Sequence, residues 1–306
     1  MGSSLPRLCD FGENDLLAQL LQDLPQRRDL LVGPGDDCAV VHQEGSPNDL
    51  LLKTDCVVEG IHFTRETPPE LVGRKALARC LSDIASMGGI PEQALVTLFV
   101  HSQRPVDDIQ RLYAGLTELA REWDVAIAGG ETSSLPFDSL IVNISLTGSV
   151  PNGEAILRST AQVGDFIAVT GALGGSFPSQ RHLLFTPRVN EGKILRELQI
   201  PSAMMDLSDG LAQDLPRLAK ASQVGFHLDL DKLPCHKGVT TDEALRDGED
   251  YELLLTIPES KLALVDQFRQ RTDVPITLIG RITNPLSHSE ELAQGGWQHF
   301  QSHVLS

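Results

Sequence analysis

Acidic residues in this chain gather in short glycine-rich segments, where a folded core cannot simply absorb them. Gly35-Asp36-Asp37-Cys38-Ala39-Val40 sets two carboxylates behind a glycine, and Lys53-Thr54-Asp55 puts another at the end of an apolar run. Leu81-Ser82-Asp83, Gly129-Gly130-Glu131-Thr132 and Asp206-Leu207-Ser208-Asp209-Gly210 continue the pattern. Ionised carboxylates brought together repel, so a fold that gathers them needs cations or thorough solvation. Oxygen ligands spread over several loops suit hard divalent cations, above all Mg2+ holding a polyphosphate. The pattern points to a metal-dependent nucleotide enzyme.

Composition narrows the partners. The formal net charge of −17 argues against nucleic acid and against an acidic membrane surface. It would also repel a phosphorylated substrate unless bound metal reversed the local field. Five scattered cysteines contain no Cys-x-x-Cys pair, so neither a zinc site nor a disulfide framework is indicated. Reduced thiols and a cytoplasmic location are the expectation. The first residues show no basic segment leading into an apolar one, and no apolar run approaches membrane-spanning length.

The 306 residues are enough for one large or two medium domains. Leu50 to Lys53 reads as a short strand with Thr54-Asp55 at its end. Leu71 to Met87 reads as a helix whose Leu77, Leu81 and Ile84 face a core. Val125 to Ala128 and Leu140 to Ser149 read as strands flanking a Gly-Gly-Glu-Thr loop. Pro151-Asn152-Gly153 is a turn signal that divides the chain. Beyond it, Met204 to Leu207 reads as a short strand and Gly210 as the start of a helix. Strand pairs without an intervening helix recur, which favours two α+β domains, residues 1–150 and 151–306, over a doubly wound sheet.

The common nucleotide motifs are missing. The chain has no Gly-x4-Gly-Lys-Ser/Thr segment and no protein-kinase signature set. Gly171-Ala172-Leu173-Gly174-Gly175-Ser176 lacks dinucleotide-fold spacing, and reads either as a plain turn or as a phosphate contact.

Taken in order, the acidic segments resemble the thiamine-monophosphate kinases of the aminoimidazole ribotide synthetase-like superfamily. The resemblance rests on Gly35 to Val40, on Thr54-Asp55 with Val58-Glu59-Gly60-Ile61-His62-Phe63, and on Lys75 to Ala78 with Leu81 to Gly88. It continues through Gly129 to Thr132, Asp206 to Leu211, Gly248-Glu249-Asp250-Tyr251-Glu252-Leu253 and Ile279-Gly280. It is collinear over nearly the whole chain, from Gly12-Glu13 to Trp297.

The resemblance implies two α+β domains with a mixed sheet each, and a homodimer formed through the amino-terminal domain. It implies ATP and several Mg2+ ions held between the acidic loops, and transfer of the γ-phosphoryl group to thiamine monophosphate. It further implies metal ligands at Asp37, Thr54, Asp55, Asp83, Glu131, Asp206 and Asp209. Gly130, Arg158 and Ser208 would meet the nucleotide, and His62, Glu249 and Trp297 the thiamine monophosphate. Two rival readings remain: a superfamily relative that uses ATP to activate an amide or acyl oxygen, and a catalytically silent dimeric binding module.

The reaction itself asks for such residues. A phosphate monoester has a second pKa of about 6, so the attacking oxygen is already largely deprotonated at neutral pH. No strong general base is needed; two anions must instead be neutralised and aligned.

Single residues carry competing readings. Asp36 serves the site or only caps the turn after Gly35, and Asp209 is better placed than Asp206 to cap the helix at Gly210. His62 is either a substrate contact or a packed histidine. Trp297 stacks on a thiamine ring or anchors the terminal core. The chain also departs from the family. Lys53 stands where a small hydroxyl residue is usual, and would either replace one metal's charge or bind phosphate. Cys80 replaces Asn, Glu131 replaces Asp, and Asp247 replaces Gly.

Overall fold

The computed structural model describes residues 7, 8 and 13–285. Helix α1 (Glu13–Leu20) leads into β1 (Leu30–Val32), β2 (Ala39–Val41) and β3 (Asn48–Val58). Then follow α2 (Pro69–Ser86), β4 (Ile90–His101), α3 (Val106–Glu122), β5 (Ala126–Leu135) and β6 (Leu140–Pro151). These strands form a six-stranded mixed sheet in the order β1-β2-β3-β6-β4-β5, with only the β4–β5 pair parallel.

The second half contains β7 (Phe166–Thr170), α4 (Arg181–Leu184), α5 (Val189–Glu197), β8 (Ala203–Asp206) and α6 (Leu211–Ser222). It continues with β9 (Gly225–Leu228), α7 (Thr241–Arg246), β10 (Leu253–Ile257), α8 (Val265–Arg269) and β11 (Ile276–Thr283). Its five-stranded sheet runs β8-β10-β7-β11-β9, all pairs antiparallel. Two α+β units are what the sequence pattern implied; the resemblance implied a mixed sheet in each, and the pairs of the second sheet are antiparallel.

Two strands run further than their apolar runs suggest. All eleven residues of β3 pair with β6, so Thr54 and Asp55 lie inside the strand rather than at its end. Strand alternation then puts neighbours on opposite faces. Leu51 and Val57 point to the core, and Lys53 and Asp55 share their side; Thr54 points away. The Gly-Gly-Glu-Thr segment is likewise strand, not loop, because β5 continues its pairing with β4 from Ala126 to Leu135. Gly130 is required there: a Cβ would lie 1.8 Å from the Val96 carbonyl oxygen.

Helix α2 is the hub. Leu77, Leu81 and Ile84 are fully buried, as the helical stripe predicts. The helix is covered on a second side by the carboxy-terminal half, where Gly192 of α5 comes so near that a Cβ would meet the Ala85 carbonyl oxygen at 2.1 Å. Residues on both flanks of α2, Lys75, Ser82, Asp83 and Ser86, are therefore buried. Among the described residues, the other face of the six-stranded sheet carries exposed side chains. Leu52, Leu95 and Thr54 of that face are exposed.

Candidate metal and nucleotide site

Three acidic segments far apart in sequence meet above α2. Asp37 comes from the turn before β2, Asp83 from α2 itself and Asp206 from the end of β8. All three are buried, and one oxygen of each lies within 4.8 Å of the others. Carboxylates pointed at one another in this way are a poor solution unless a cation joins them. Oxygen donors at that spacing fit a hard divalent ion such as Mg2+.

The surrounding groups restrain the centre without filling it. Ser86 Oγ donates to Asp37 Oδ2 at 2.7 Å and Ser82 Oγ to Asp206 Oδ2 at 2.6 Å. Arg158 forms an ion pair with Asp37, and Lys53 Nζ donates to Asp83 Oδ1 at 2.6 Å. Burial, reinforced by the neighbouring Asp37, pushes the Asp206 carboxyl up to about 7. Burial also raises Asp83, against the pull of Lys53 and with the push of Asp206. The centre is thus short of positive charge.

Asp36 is occupied by its own turn. Its Oδ1 accepts from the Asp37 amide at 3.0 Å and its Oδ2 from the Arg158 amide at 3.1 Å. Of its two sequence readings, the turn-holding one matches this geometry, and it also ties the segment bearing Arg158 to the Gly35 turn.

Asp55 lies beside the centre, paired with Arg79 of α2 at 3.0 Å. Asp209 is ion-paired with Arg217 of α6. Neither Asp206 nor Asp209 caps α6: its N-cap is Gly210, with no side-chain cap bond. The fully buried Asp214, in the first turn, instead binds amides of the preceding loop. Its Oδ2 accepts from the Ser208 amide at 3.1 Å and the Asp209 amide at 3.0 Å, while Arg217 donates to its Oδ1 at 2.9 Å. The loop that carries Asp206, Ser208 and Asp209 is shaped by this one carboxylate.

Thr54 and Glu131 are not brought to the three-carboxylate centre. Thr54 Oγ1 faces Ser145 Oγ at 3.2 Å on the open side of the sheet. Glu131 pairs in register with Thr97, which shares that open side with Asn143 and Cys56, and it is exposed. Gly130 sits next to it on the same edge strand.

A second polar cluster joins the two halves. The Lys75 side chain is fully buried; Nζ donates to the His62 carbonyl oxygen at 2.6 Å and forms an ion pair with Glu249. Burial pushes this ammonium down to about 8, with Glu249 opposing. His62 Nδ1 accepts from the Val58 amide at 3.0 Å, which fixes the ring. Glu249 is held in the left-handed region, φ 63°, and its amide donates to the Ser208 carbonyl oxygen at 2.7 Å. His62 and Glu249, read from the sequence as acceptor contacts, therefore share one lysine. Trp297 lies outside the described residues.

The Gly171–Ser176 segment is a plain turn. Its amides are already taken: Gly174 donates to Asp250 at 2.9 Å, and Gly175 to Asp247 at 2.7 Å. Asp247, a departure from the family pattern, thus has a structural use.

Sequence reasoning missed Lys75, Arg79 and Asp214 as parts of the site. Lys75 and Arg79 stood in plain view as cations on the helix that carries Leu77, Leu81 and Ile84. Asp214 could have been found as an acid placed in a helical first turn whose N-cap position is glycine.

Comparison with known proteins gives the family of the chain. The family described as AIR synthase related protein matches with its amino-terminal domain at residues 35–150 and its carboxy-terminal domain at residues 162–290. A thiamine-monophosphate kinase of Salmonella typhimurium is 35% identical, covering 89% of this chain and 90% of the relative. One of Rhodopirellula baltica is 34% identical over 88% of this chain and 89% of the relative. Among solved structures, AaThiL complexed with AMPPCP and TMP superposes with a TM-score of 0.83 at 28% identity, covering 97% of this chain and all of that one. The thiamine-monophosphate kinase of Stenotrophomonas maltophilia gives 0.72 at 32% identity, covering 89% and 92%. A HypE–HypF complex, at 18% identity and a TM-score of 0.68, shares the fold. With two matching family domains and relatives this similar over most of its length, the chain belongs to the AIR synthase related family and, within it, to the thiamine-monophosphate kinases.

Proposed function

We propose that this enzyme transfers the γ-phosphoryl group of ATP to thiamine monophosphate, giving thiamine diphosphate. The observation that carries this reading is the convergence of Asp37, Asp83 and Asp206 from both halves of the chain, in a fold that aligns end to end with a relative named as complexed with AMPPCP and TMP.

Asp37, Asp83 and Asp206 would hold Mg2+, with Asp55 and Asp209 at its margins. Bound Mg2+ supplies charge neutralisation and in-line alignment of the two phosphates. The chain's own residues do the rest. Arg158 adds a fixed positive charge for the triphosphate beside Asp37, and Ser208 lies on the loop that Asp214 shapes. His62 and Glu249, pinned by Lys75, line the acceptor side. A proton-abstracting residue is unnecessary, because the acceptor phosphate is already ionised.

We assign Thr54, Gly130 and Glu131 to the open face of the six-stranded sheet rather than to the three-carboxylate centre. A second copy of the chain covering that face is the arrangement we favour, since it would bury Leu52 and Leu95. We place the domain boundary close to Pro151, between the two matched family regions. Cytoplasmic residence fits the free thiols at Cys38, Cys56, Cys80 and Cys235. Among the described residues no helix is long and apolar enough to cross a membrane.

The test is direct: purified protein with ATP, MgCl2 and thiamine monophosphate should form thiamine diphosphate, followed by chromatography. Nucleotide binding without that product would overturn the acceptor. Phosphate release that depends on a different metabolite would favour amide or acyl activation. Unimpaired binding by Asp55→Asn and Asp209→Asn variants, with no turnover in the wild type, would favour a silent module.

A further inference from the structure

Lys53 lies on the core side of β3, two residues from Asp55, and its ammonium is 2.6 Å from Asp83 Oδ1. Its side chain is only 20% exposed. Asp83 belongs to the three-carboxylate centre. We infer that Lys53 is a fixed cation that takes the place of one divalent ion at Asp83, so that this enzyme assembles its nucleotide complex with fewer metals than a variant lacking the charge. The inference rests on the metal and nucleotide part of the proposed function, and not on the identity of the acceptor.

The pairing around the centre supports it. Three buried carboxylates meet two fixed cations, Lys53 on Asp83 and Arg158 on Asp37, while Asp206 is held by the neutral Ser82 hydroxyl. With all three carboxylates counted as ionised, one formal negative charge is left over, where three would stand without the cations. A centre neutralised to that degree calls for less added positive charge.

The other use of a lysine here, gripping phosphate, fits less well. A phosphate held by Lys53 would compete with Asp83 for its charge, and Asp83 is buried and already engages that ammonium at 2.6 Å. A lysine already engaged at 2.6 Å acts as a counter-ion.

Two measurements test the idea. Mn2+ bound per chain in the AMPPCP complex is counted by electron paramagnetic resonance for wild type, Lys53→Ser, Lys53→Gln and Lys53→Arg. Ser and Gln should each gain about one ion, and Arg should keep the wild-type count. In the second arm, the nucleotide-free proteins are melted with and without MgCl2. The Ser and Gln variants should depend on Mg2+ for stability, with melting shifts several degrees larger than that of the wild type. An unchanged ion count in a variant that binds AMPPCP, or a gain in Lys53→Arg, overturns the inference. So does an equal Mg2+ response in all four proteins. A wild type that fails to bind AMPPCP would count against the proposed function, and the nucleotide-free arm would still decide the role of Lys53.

Discussion

Two groups of acids, one half-buried and one buried, occupy this molecule, and they use their oxygens in opposite ways. Asp247 and Asp250 spend their oxygens on the amides of Gly174 and Gly175 and on the Ser176 hydroxyl. Asp37, Asp83 and Asp206 turn oxygens towards one another. The first group is complete as folded, and its carboxylates replace hydrogen bonds that water would otherwise make. The second is complete only with added positive charge. Burial and abundance of acids do not separate a site from a scaffold; what the oxygens face does.

The sharpest way to break the comparison is to neutralise one member of the second group. Asp83→Asn should lower thiamine diphosphate formation by about 10³-fold, because preorganised charge at the transferring phosphate is lost. Its melting temperature without metal should move by only a few degrees, because the repulsion relieved at Asp37 and Asp206 offsets the loss of Lys53's partner. Equal losses of activity and stability would erase the distinction. The converse case is Asp214, a scaffold acid although it sits under the site loop. Asp214→Ala should cost about 3 kcal/mol in chemical denaturation by leaving the Ser208 and Asp209 amides without their acceptor. An unaltered midpoint would remove Asp214 from that role.

A smaller effect comes from pH. The Asp206 carboxyl is raised from 3.8 to about 7, chiefly by burial. Between those values the folded protein binds more protons than the unfolded chain, so its stability declines as pH rises. In EDTA the melting temperature should fall by a few degrees from about pH 5 to about pH 8, and Mg2+ should flatten that decline. A rise over the same range in EDTA would contradict the assignment. The mildest expected change is at Asp36, which faces amides as Asp250 does. Asp36→Asn should change turnover by less than about tenfold, because an amide oxygen still accepts one of the two bonds. A loss as large as that of Asp83→Asn would move Asp36 into the centre.

Much of this was legible in the sequence, for a physical reason. Asp37, Asp83 and Asp206 interrupt apolar patterns with groups that a core cannot hold alone, so each announced itself. The two α+β units followed from strand pairs lacking a helix between them. The placement of Thr54 and Glu131 on the sheet was not legible, because β3 and β5 continue through what read as a strand end and a loop. Once a segment is strand, its parity decides the face, and both residues fall on the open side. Asp206 and Asp209 were read as possible caps of α6, whereas its N-cap is Gly210 with no side-chain cap bond, and Asp214 inside the helix holds the preceding loop. Lys75 escaped notice because helical periodicity ranks a lysine as solvent-facing. It is buried here because the carboxy-terminal half covers a second side of α2.

That lysine also constrains the order in which the molecule can be made. Lys75 and Glu249 are separated by 174 residues, and the carboxylate is synthesised long after the ammonium. Until then, the nascent amino-terminal half carries an unpaired charge within its central helix, which must stay wet. The half emerging first from the ribosome therefore cannot close fully around α2 by itself, and its last packing step waits for the arrival of Glu249.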